Sequence, residues 1–142
     1  MNYIFSAIFL YFFLGFLLYI FQRRIVFNKS GHPGAPKDYN LDNTEEVYIK
    51  TEDNLKLLSW YHKGNNSLPL IVYFHGNSFH IGDRAYRIQR YIEKNWSVLL
   101  VSWRGFGGNE GNPTEKNLYK DAEAVLKWIK NNTEFKFKEL VI

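Results

Sequence analysis

The segment Leu70–Ser78 combines the pattern of a buried strand with a turn suited to stabilising negative charge. Leu70-Ile-Val-Tyr-Phe74 is an apolar, β-branched and aromatic run, and His75-Gly76-Asn77 follows it directly. A short run of this kind that is closed by glycine is typical of a central strand in a parallel sheet. Backbone N–H groups that remain free in the turn after such a strand can hold an oxyanion. We therefore predict an oxyanion-binding turn at the end of this strand.

Ser78 is the serine nearest to this turn, and His80 follows it at a spacing that superficially resembles a nucleophile with its base. Adjacent residues in a turn rarely present their side chains to each other, and a distant segment usually supplies a catalytic base. We therefore interpret Ser78 as a turn or helix-capping residue and expect no catalytic residue in this chain. His75 leaves two roles open: it either hydrogen-bonds a neighbouring loop or shapes the oxyanion turn.

A second strand, Ser97–Ser102, runs into a glycine-rich loop that contains Arg104-Gly105-Phe106-Gly107. A dinucleotide-binding fingerprint would need glycine at the position of Glu110, where a carboxylate would repel a pyrophosphate. No Gly-Lys-Ser or Gly-Lys-Thr sequence is present either, so nucleotide binding is not expected. We expect the glycines to permit tight turns and Arg104 to fix the loop through an acidic residue.

Helical patterns follow both strands, which predicts an α/β domain. The first pattern extends from Ile81 to Lys94, and both repeat apolar residues at the period of a helix. The second begins after Asn112-Pro113, which we interpret as its cap and first-turn proline, with Glu115 as the N3 carboxylate. Glu46–Thr51 and Leu55–Tyr61 are predicted to form a hairpin at one edge of the sheet. The predicted inward faces comprise Ile81, Ala85, Ile88 and Ile92 in the first helix and Leu118, Ala122, Val125, Leu126 and Ile129 in the second.

The amino-terminal run Tyr3–Phe21 is apolar and aromatic and carries no charged residue. At 1.5 Å per residue, its length matches a bilayer core of roughly 30 Å. No basic segment precedes the run and no small-x-small cleavage site follows it, which favours a membrane anchor over a cleaved signal peptide. Arg23, Arg24 and Lys29 follow the run, so the positive-inside rule predicts a single-pass protein whose remainder lies in the cytoplasm.

These three cations account for most of the net charge. The chain has 18 basic and 14 acidic residues, and after Lys29 the counts are 15 and 14. The nearly neutral remainder argues against nucleic-acid binding. We interpret the cluster as a topology signal, with contact to anionic membrane lipid as the alternative. The chain contains no cysteine, and its His, Asp and Glu residues lack metal-ligand spacing, so we expect neither a metal nor another cofactor.

Several short motifs, taken in order, resemble the Bem46-type membrane-anchored α/β-hydrolases, a group of serine hydrolases. The matching motifs, in a region from about Ile20 to Ile142, are His75-Gly76-Asn77, Gly82-Asp83-Arg84, Arg104-Gly105-Phe106-Gly107, Glu110-Gly111, Pro113 and Leu118-Tyr119-x-Asp121-Ala122. The resemblance implies the amino-terminal half of a hydrolase sheet, with a hairpin and parallel strands, preceded by one transmembrane helix. Ser102-Trp103 and Asn109 depart from the Asp-Tyr and Ser that are usual in the family.

The resemblance also assigns roles to residues of this chain. It places an oxyanion donor on the backbone N–H at Asn77 or Ser78. It gives structural roles in the two loops to His75, Gly76, Arg104, Gly105 and Gly107. We divide the chain into a transmembrane anchor at 1–22, a juxtamembrane linker at 23–44 and a truncated α/β-hydrolase domain at 45–142.

In the resembled family, Glu139–Ile142 would lead into a Gly-x-Ser-x-Gly nucleophile elbow, with the acid and the histidine further on. None of the three lies in this chain, so we expect a truncated protein that is catalytically inactive alone. Two alternatives remain open. One is the anchored half of a split serine hydrolase, which acts on an ester, thioester or amide with a separately encoded nucleophile-bearing chain. The other is a non-catalytic membrane interaction module that uses an exposed sheet edge.

Overall fold

The computed structural model describes residues 2–29 and 31–142, which form an amino-terminal helix followed by an α/β unit. Helix α1 spans Asn2–Val26. The elements that follow are β1 (Asn28–Lys29), β2 (Thr44–Lys50), β3 (Lys56–His62), β4 (Leu70–Phe74), β5 (Ser78–Phe79), α2 (Ala85–Ile92), β6 (Ser97–Val101), α3 (Glu115–Asn132) and β7 (Leu140–Val141). Short 3-10 helices span Pro36–Tyr39, Ile81–Arg84 and Phe137–Glu139.

The main sheet has the strand order β2-β3-β6-β4-β7. Strands β2 and β3 form the predicted antiparallel hairpin at one edge, and β3 is also antiparallel to β6. Strand β4 is parallel to both β6 and β7. The chain therefore crosses over through α2 between β4 and β6, and both strands end at the same edge of the sheet. This topology brings the loops that follow β4 and β6 side by side.

Both faces of the sheet are buried, because α2 and α3 pack on opposite sides. Leu58 and Leu100 face α2 and pack with Ile88. Leu57 and Leu99, their neighbours in sequence, face α3 and pack with other apolar residues. The alternation follows from the two-residue period of a strand. The almost continuously apolar sequences of β4 and β6 reflect burial on both faces.

The first helix is predicted for Ile81–Lys94, and its α-helical part begins one turn later than predicted. Ile81–Arg84 form a 3-10 turn, and α-helical geometry covers Ala85–Ile92. The predicted apolar stripe is nevertheless present, since Ile81, Ala85 and Ile88 are buried.

The predicted cap of the second helix is wrong. Helix α3 begins at Glu115, and its cap is Thr114, whose Oγ1 accepts a hydrogen bond from the N–H of Asn117 at 3.2 Å. Pro113 is buried and lies before the helix. The hydroxyl of Thr114 accepts from an amide of the first turn that has no partner within the helix. The cap of α3 therefore lies two residues after the predicted cap, Asn112.

Helix α1 is exposed along its length and is long and apolar enough from Tyr3 to Val26 to cross a membrane. Its large side chains, such as Phe9 and Tyr11, are mostly exposed. An apolar surface around the whole helix is unfavourable in water and favourable in lipid. The sequence and the helix therefore both indicate a membrane-spanning segment.

Candidate functional site

The candidate site is the turn His75–Ser78, which follows β4 at the edge where β6 also ends. Gly76 and Asn77 are exposed, and their backbone N–H groups donate no hydrogen bond to an acceptor among the described residues. A Cβ added at Gly76 would meet no atom within 4 Å. The turn thus carries two exposed backbone donors without an acceptor among the described residues, and an oxyanion hole requires donors of this kind.

His75 connects this turn to the loop after β6. Its Nε2 accepts a hydrogen bond from the backbone N–H of Trp103 at 3.3 Å, and its carbonyl oxygen accepts one from the Trp103 indole at 2.8 Å. Burial lowers the pKa of His75 to about 4, an effect that the backbone of Gly76 partly offsets. The imidazole is therefore neutral at neutral pH and can accept through Nε2. This arrangement corresponds to a strand-end histidine that hydrogen-bonds a neighbouring loop.

The turn is also attached to the end of α1, the helix that is long and apolar enough to cross a membrane. The side-chain amide of Asn77 donates to the carbonyl oxygen of Val26 at 2.9 Å. Strand β5 pairs in parallel with β1, with Ser78 opposite Asn28. Phe79, in β5, has a φ of 64°, a left-handed conformation that is unfavourable for an aromatic residue. Sequence reasoning missed this attachment because strands of two residues carry no periodic pattern.

Ser78 has no activating base among the described residues. Its hydroxyl lies 3.4 Å from Oδ1 of Asn77, to which it donates. His80 instead faces Asp83, with Nδ1 of the ring 3.0 Å from a carboxylate oxygen. The apparent Ser-x-His motif is therefore two residues with separate partners.

Arg104 anchors the loop after β6 through two carboxylates. Its Nε donates to Oδ1 of Asp121 at 2.8 Å, and its Nη1 donates to Oδ2 of Asp53 at 2.8 Å. Arg104 and Asp121 are buried. The hydrogen bonds from Arg104 hold the pKa of Asp53 well below its usual range. The guanidinium fork on both carboxylate oxygens of Asp53 and the buried contact with Asp121 together fix the position and orientation of the loop.

The two departures from the family pattern have structural roles in the same loop. Asn109 accepts from the backbone N–H of Leu58 at 2.9 Å and donates to the carbonyl oxygen of Ser102 at 2.9 Å. The hydroxyl of Ser102 donates to the carbonyl oxygen of Phe106 at 3.3 Å. Gly105 has a φ of 76°, which a residue with a side chain adopts only at a cost. The loop beside His75 is thus held in one conformation by its own hydrogen bonds.

Within residues 2–29 and 31–142, no group of three His, Cys, Asp or Glu side chains is arranged to hold a metal ion. The turn also receives one charged donor, because the guanidinium group of Arg84 donates to the carbonyl oxygen of Ser78 at 3.4 Å. Such a turn can stabilise a developing negative charge on a substrate oxygen.

Comparison with known proteins places the chain among α/β-hydrolases, although no family model matches it. It is 32% identical over 127 residues to the uncharacterized protein Rv2307c of Mycobacterium tuberculosis, covering 84% of this chain and 44% of that protein. It is 31% identical to the protein bem46 of Schizosaccharomyces pombe, covering 82% and 42%. The lysophosphatidylserine lipase ABHD12 of Danio rerio is 28% identical, covering 67% and 30%.

Solved structures confirm the predicted fold. The esterase Pf2001 of Pyrococcus furiosus superposes with a TM-score of 0.58 at 26% sequence identity, covering 75% of this chain and 42% of the esterase. An α/β-hydrolase of Vibrio vulnificus gives a TM-score of 0.56 at 26% identity, covering 70% and 36%. The chain spans less than half the length of these relatives.

Proposed function

Because this chain is related to the Bem46-type α/β-hydrolases, we propose that it forms the membrane-anchored part of a serine acyl hydrolase and supplies one side of the oxyanion hole. The observation that carries the proposal is the turn His75–Ser78, where the backbone N–H groups of the exposed residues Gly76 and Asn77 donate to no acceptor among the described residues. When a serine attacks a substrate carbonyl, the carbonyl oxygen becomes negatively charged. An amide at this turn would donate to that oxygen as the charge develops.

In this proposal the chain is inactive by itself, since it contains no Gly-x-Ser-x-Gly sequence. A further segment, continuous with this one or separately encoded, would supply the nucleophile, the acid and the histidine. Strand β7 supports this idea because it is parallel to β4 and lies next to it. A nucleophile in a turn that follows β7 would reach the same sheet edge as the oxyanion turn.

The substrate bond that we favour is an ester, with thioester and amide as the wider class. The names of two similar proteins, a lysophosphatidylserine lipase and an esterase, support ester hydrolysis. The membrane-spanning character of α1 would place the site near lipid esters.

The experiment that tests the proposal is co-expression of the full chain with the coding sequence immediately downstream, followed by an ester-hydrolysis assay on the membrane fraction. We expect hydrolysis only when both polypeptides are present, and loss of hydrolysis when the serine of the added Gly-x-Ser-x-Gly motif is changed to alanine. Hydrolysis by this chain alone would contradict the proposal.

We further propose that the α/β unit lies on the cytoplasmic side, as the cations after α1 favour. The absence of cysteine allows a clean test. A Ser67→Cys variant places one thiol on an exposed residue before β4. We expect an impermeant maleimide to label it in inverted vesicles and not in intact cells. The opposite labelling pattern would place the unit outside.

A further inference from the structure

A pocket lies where the membrane helix meets the loop that precedes α3. It has a volume of about 510 Å³ and is lined by Arg23, Arg24, Phe27, Lys29, Asn112 and Pro113. We call it the juxtamembrane pocket. Its volume is within the range of small-molecule sites. It lies apart from the oxyanion turn, because none of its lining residues belongs to His75–Ser78.

The cations of this pocket have no anionic partner in the described part of the chain. Carboxylates elsewhere form ion pairs with Arg104 and Lys120, but none lies within 4.0 Å of the side-chain nitrogens of Arg23, Arg24 or Lys29. Three cations that share one concave surface repel one another. An anion in the pocket would relieve that repulsion and make charge-assisted hydrogen bonds, above all with the arginines.

The walls of the pocket are held in place by the fold. The ring of Phe27 packs edge-to-face on Phe106, with ring centroids 6.2 Å apart. Lys29 lies in β1, which pairs with β5, and Pro113 is buried. A set of cations on a flexible tail would lack these constraints. The juxtamembrane pocket is therefore a defined concavity as well as a charge cluster.

The depth of the pocket relative to the membrane identifies the source of the anion. The uncharged run of α1 ends at Gln22, and Arg23 is the next residue. At 1.5 Å per residue, Arg23 and Arg24 lie within about 5 Å of the end of the apolar stretch. This is the depth at which phospholipid head groups begin outside the hydrocarbon core. With α1 across a membrane, a lipid phosphate would be the anion nearest to these guanidinium groups.

We propose that the juxtamembrane pocket binds the phosphate of one anionic phospholipid head group, with Arg23, Arg24 and Lys29 as its donors. The binding is non-covalent and does not depend on hydrolase activity. Lys29 pairs with Phe79, the residue that follows the oxyanion turn. A bound head group would therefore lie beside β5, the strand that holds the oxyanion turn against β1.

Native mass spectrometry of the full chain in a non-ionic detergent tests this proposal directly. The probes are phosphatidylglycerol and phosphatidylcholine with identical acyl chains. We expect saturable binding of one phosphatidylglycerol molecule and weaker binding of phosphatidylcholine. Equal binding of the two lipids, or displacement of bound phosphatidylglycerol by inorganic phosphate, would overturn the proposal.

Matched variants separate a formed site from a general effect of charge. Lys29→Gln should weaken phosphatidylglycerol binding about fivefold, the effect of one cation near an anionic surface. Lys37→Gln removes the same charge from an exposed residue outside the pocket and should leave binding unchanged. Equal losses in both variants would show that only net charge matters.

A third variant tests the shape of the pocket at constant charge. Asn112 is exposed and precedes α3, so Asn112→Trp adds bulk to the wall without removing a buried contact. We expect it to reduce phosphatidylglycerol binding while protease resistance of the α/β unit stays at the parent level. Binding equal to that of the parent chain would contradict a site in this pocket.

Discussion

The side-chain amide of Asn77 donates a hydrogen bond to the carbonyl oxygen of Val26, the last residue of α1, at an N···O distance of 2.9 Å. One end of this bond belongs to the candidate oxyanion turn, and the other belongs to the helix that can cross a membrane. The parallel pairing of β1 with β5 reinforces the same connection. The position of the turn is therefore coupled to the position of α1.

Asn77→Ala should loosen this connection. The variant removes the side-chain hydrogen bond to Val26, which contributes about 1 kcal/mol, and the longer contact of 3.4 Å that the Ser78 hydroxyl makes with Oδ1 of Asn77. Amide hydrogen exchange in residues 78–80, which pair with β1 or bond Asp83, should become roughly fivefold faster, because about 1 kcal/mol of local stability corresponds to that factor. The control is Asn66→Ala, which removes an exposed hydrogen bond to Glu134 far from the turn. Unchanged exchange in the Asn77 variant would show that the bond does not hold the turn.

Arg104→Gln should strongly destabilise the α/β unit. The change leaves the buried carboxylate of Asp121 without its cation, and removal of one partner from a buried pair costs about 3–5 kcal/mol. The free energy of unfolding, measured by urea-dependent proteolysis, should fall by that amount. Arg90→Gln is the control because Arg90 is exposed on α2. Similar stability in the two variants would refute a structural role for the Arg104 pairs.

Stability should fall as the pH is lowered from about 6.5 to about 4. Burial lowers the pKa of His75 to about 4 in the folded chain. As the pH falls, the unfolded chain therefore binds a proton at this residue at a higher pH than the folded chain does. The contribution of neutral His75 to the free energy of unfolding is fully present above the pKa of His75 in the unfolded chain. It is lost as the pH falls through the pKa of His75 in the folded chain. A difference of about 2.5 pKa units corresponds to roughly 3 kcal/mol.

The measurement is the free energy of unfolding at several pH values in the parent chain and in His75→Gln. The glutamine can still accept from Trp103 but does not titrate, so the variant should lose this part of the pH dependence. His32→Gln, at an exposed position, should retain it. An identical pH profile in parent and His75→Gln would exclude His75 as the titrating group.

Two glycines near the turn should respond differently to alanine. A Cβ at Gly82 would overlap the hydroxyl of Tyr39, which also donates to the carbonyl oxygen of Pro33 at 2.6 Å. Gly82→Ala should therefore cost about 1–3 kcal/mol through overpacking. Gly76→Ala meets open space and should leave the thermal unfolding midpoint nearly unchanged. Equal midpoints in the two variants would contradict the described packing of Tyr39.

The regular elements could be predicted from the sequence because their burial follows simple periods. Ile81, Ala85 and Ile88 recur at helical spacing, and all are buried against the sheet. The hairpin was recognisable from the turn residues between its strands, and its strands deviate from the predicted bounds by one or two residues. The start of α3 was not predictable in this way, because Asn112 and Thr114 are both acceptable caps and only the fold selects Thr114.

The partners of the site residues required the fold. Arg104 lies 17 residues from Asp121 and 51 from Asp53, and no local pattern indicates which acids approach it. Asn77 is likewise 51 residues from Val26. The motif His75-Gly76-Asn77 was visible in the sequence, whereas its attachment to the anchor depends on a two-residue strand pair.

The most direct test of the central claim is fluorophosphonate labelling of membranes that contain the full chain alone. We expect no labelling, because Ser78 donates to Asn77 and has no activating base among the described residues. A second sample with a polypeptide that bears Gly-x-Ser-x-Gly, acid and histidine should be labelled on that polypeptide's serine. Labelling of this chain alone that disappears in Ser78→Ala would contradict the account.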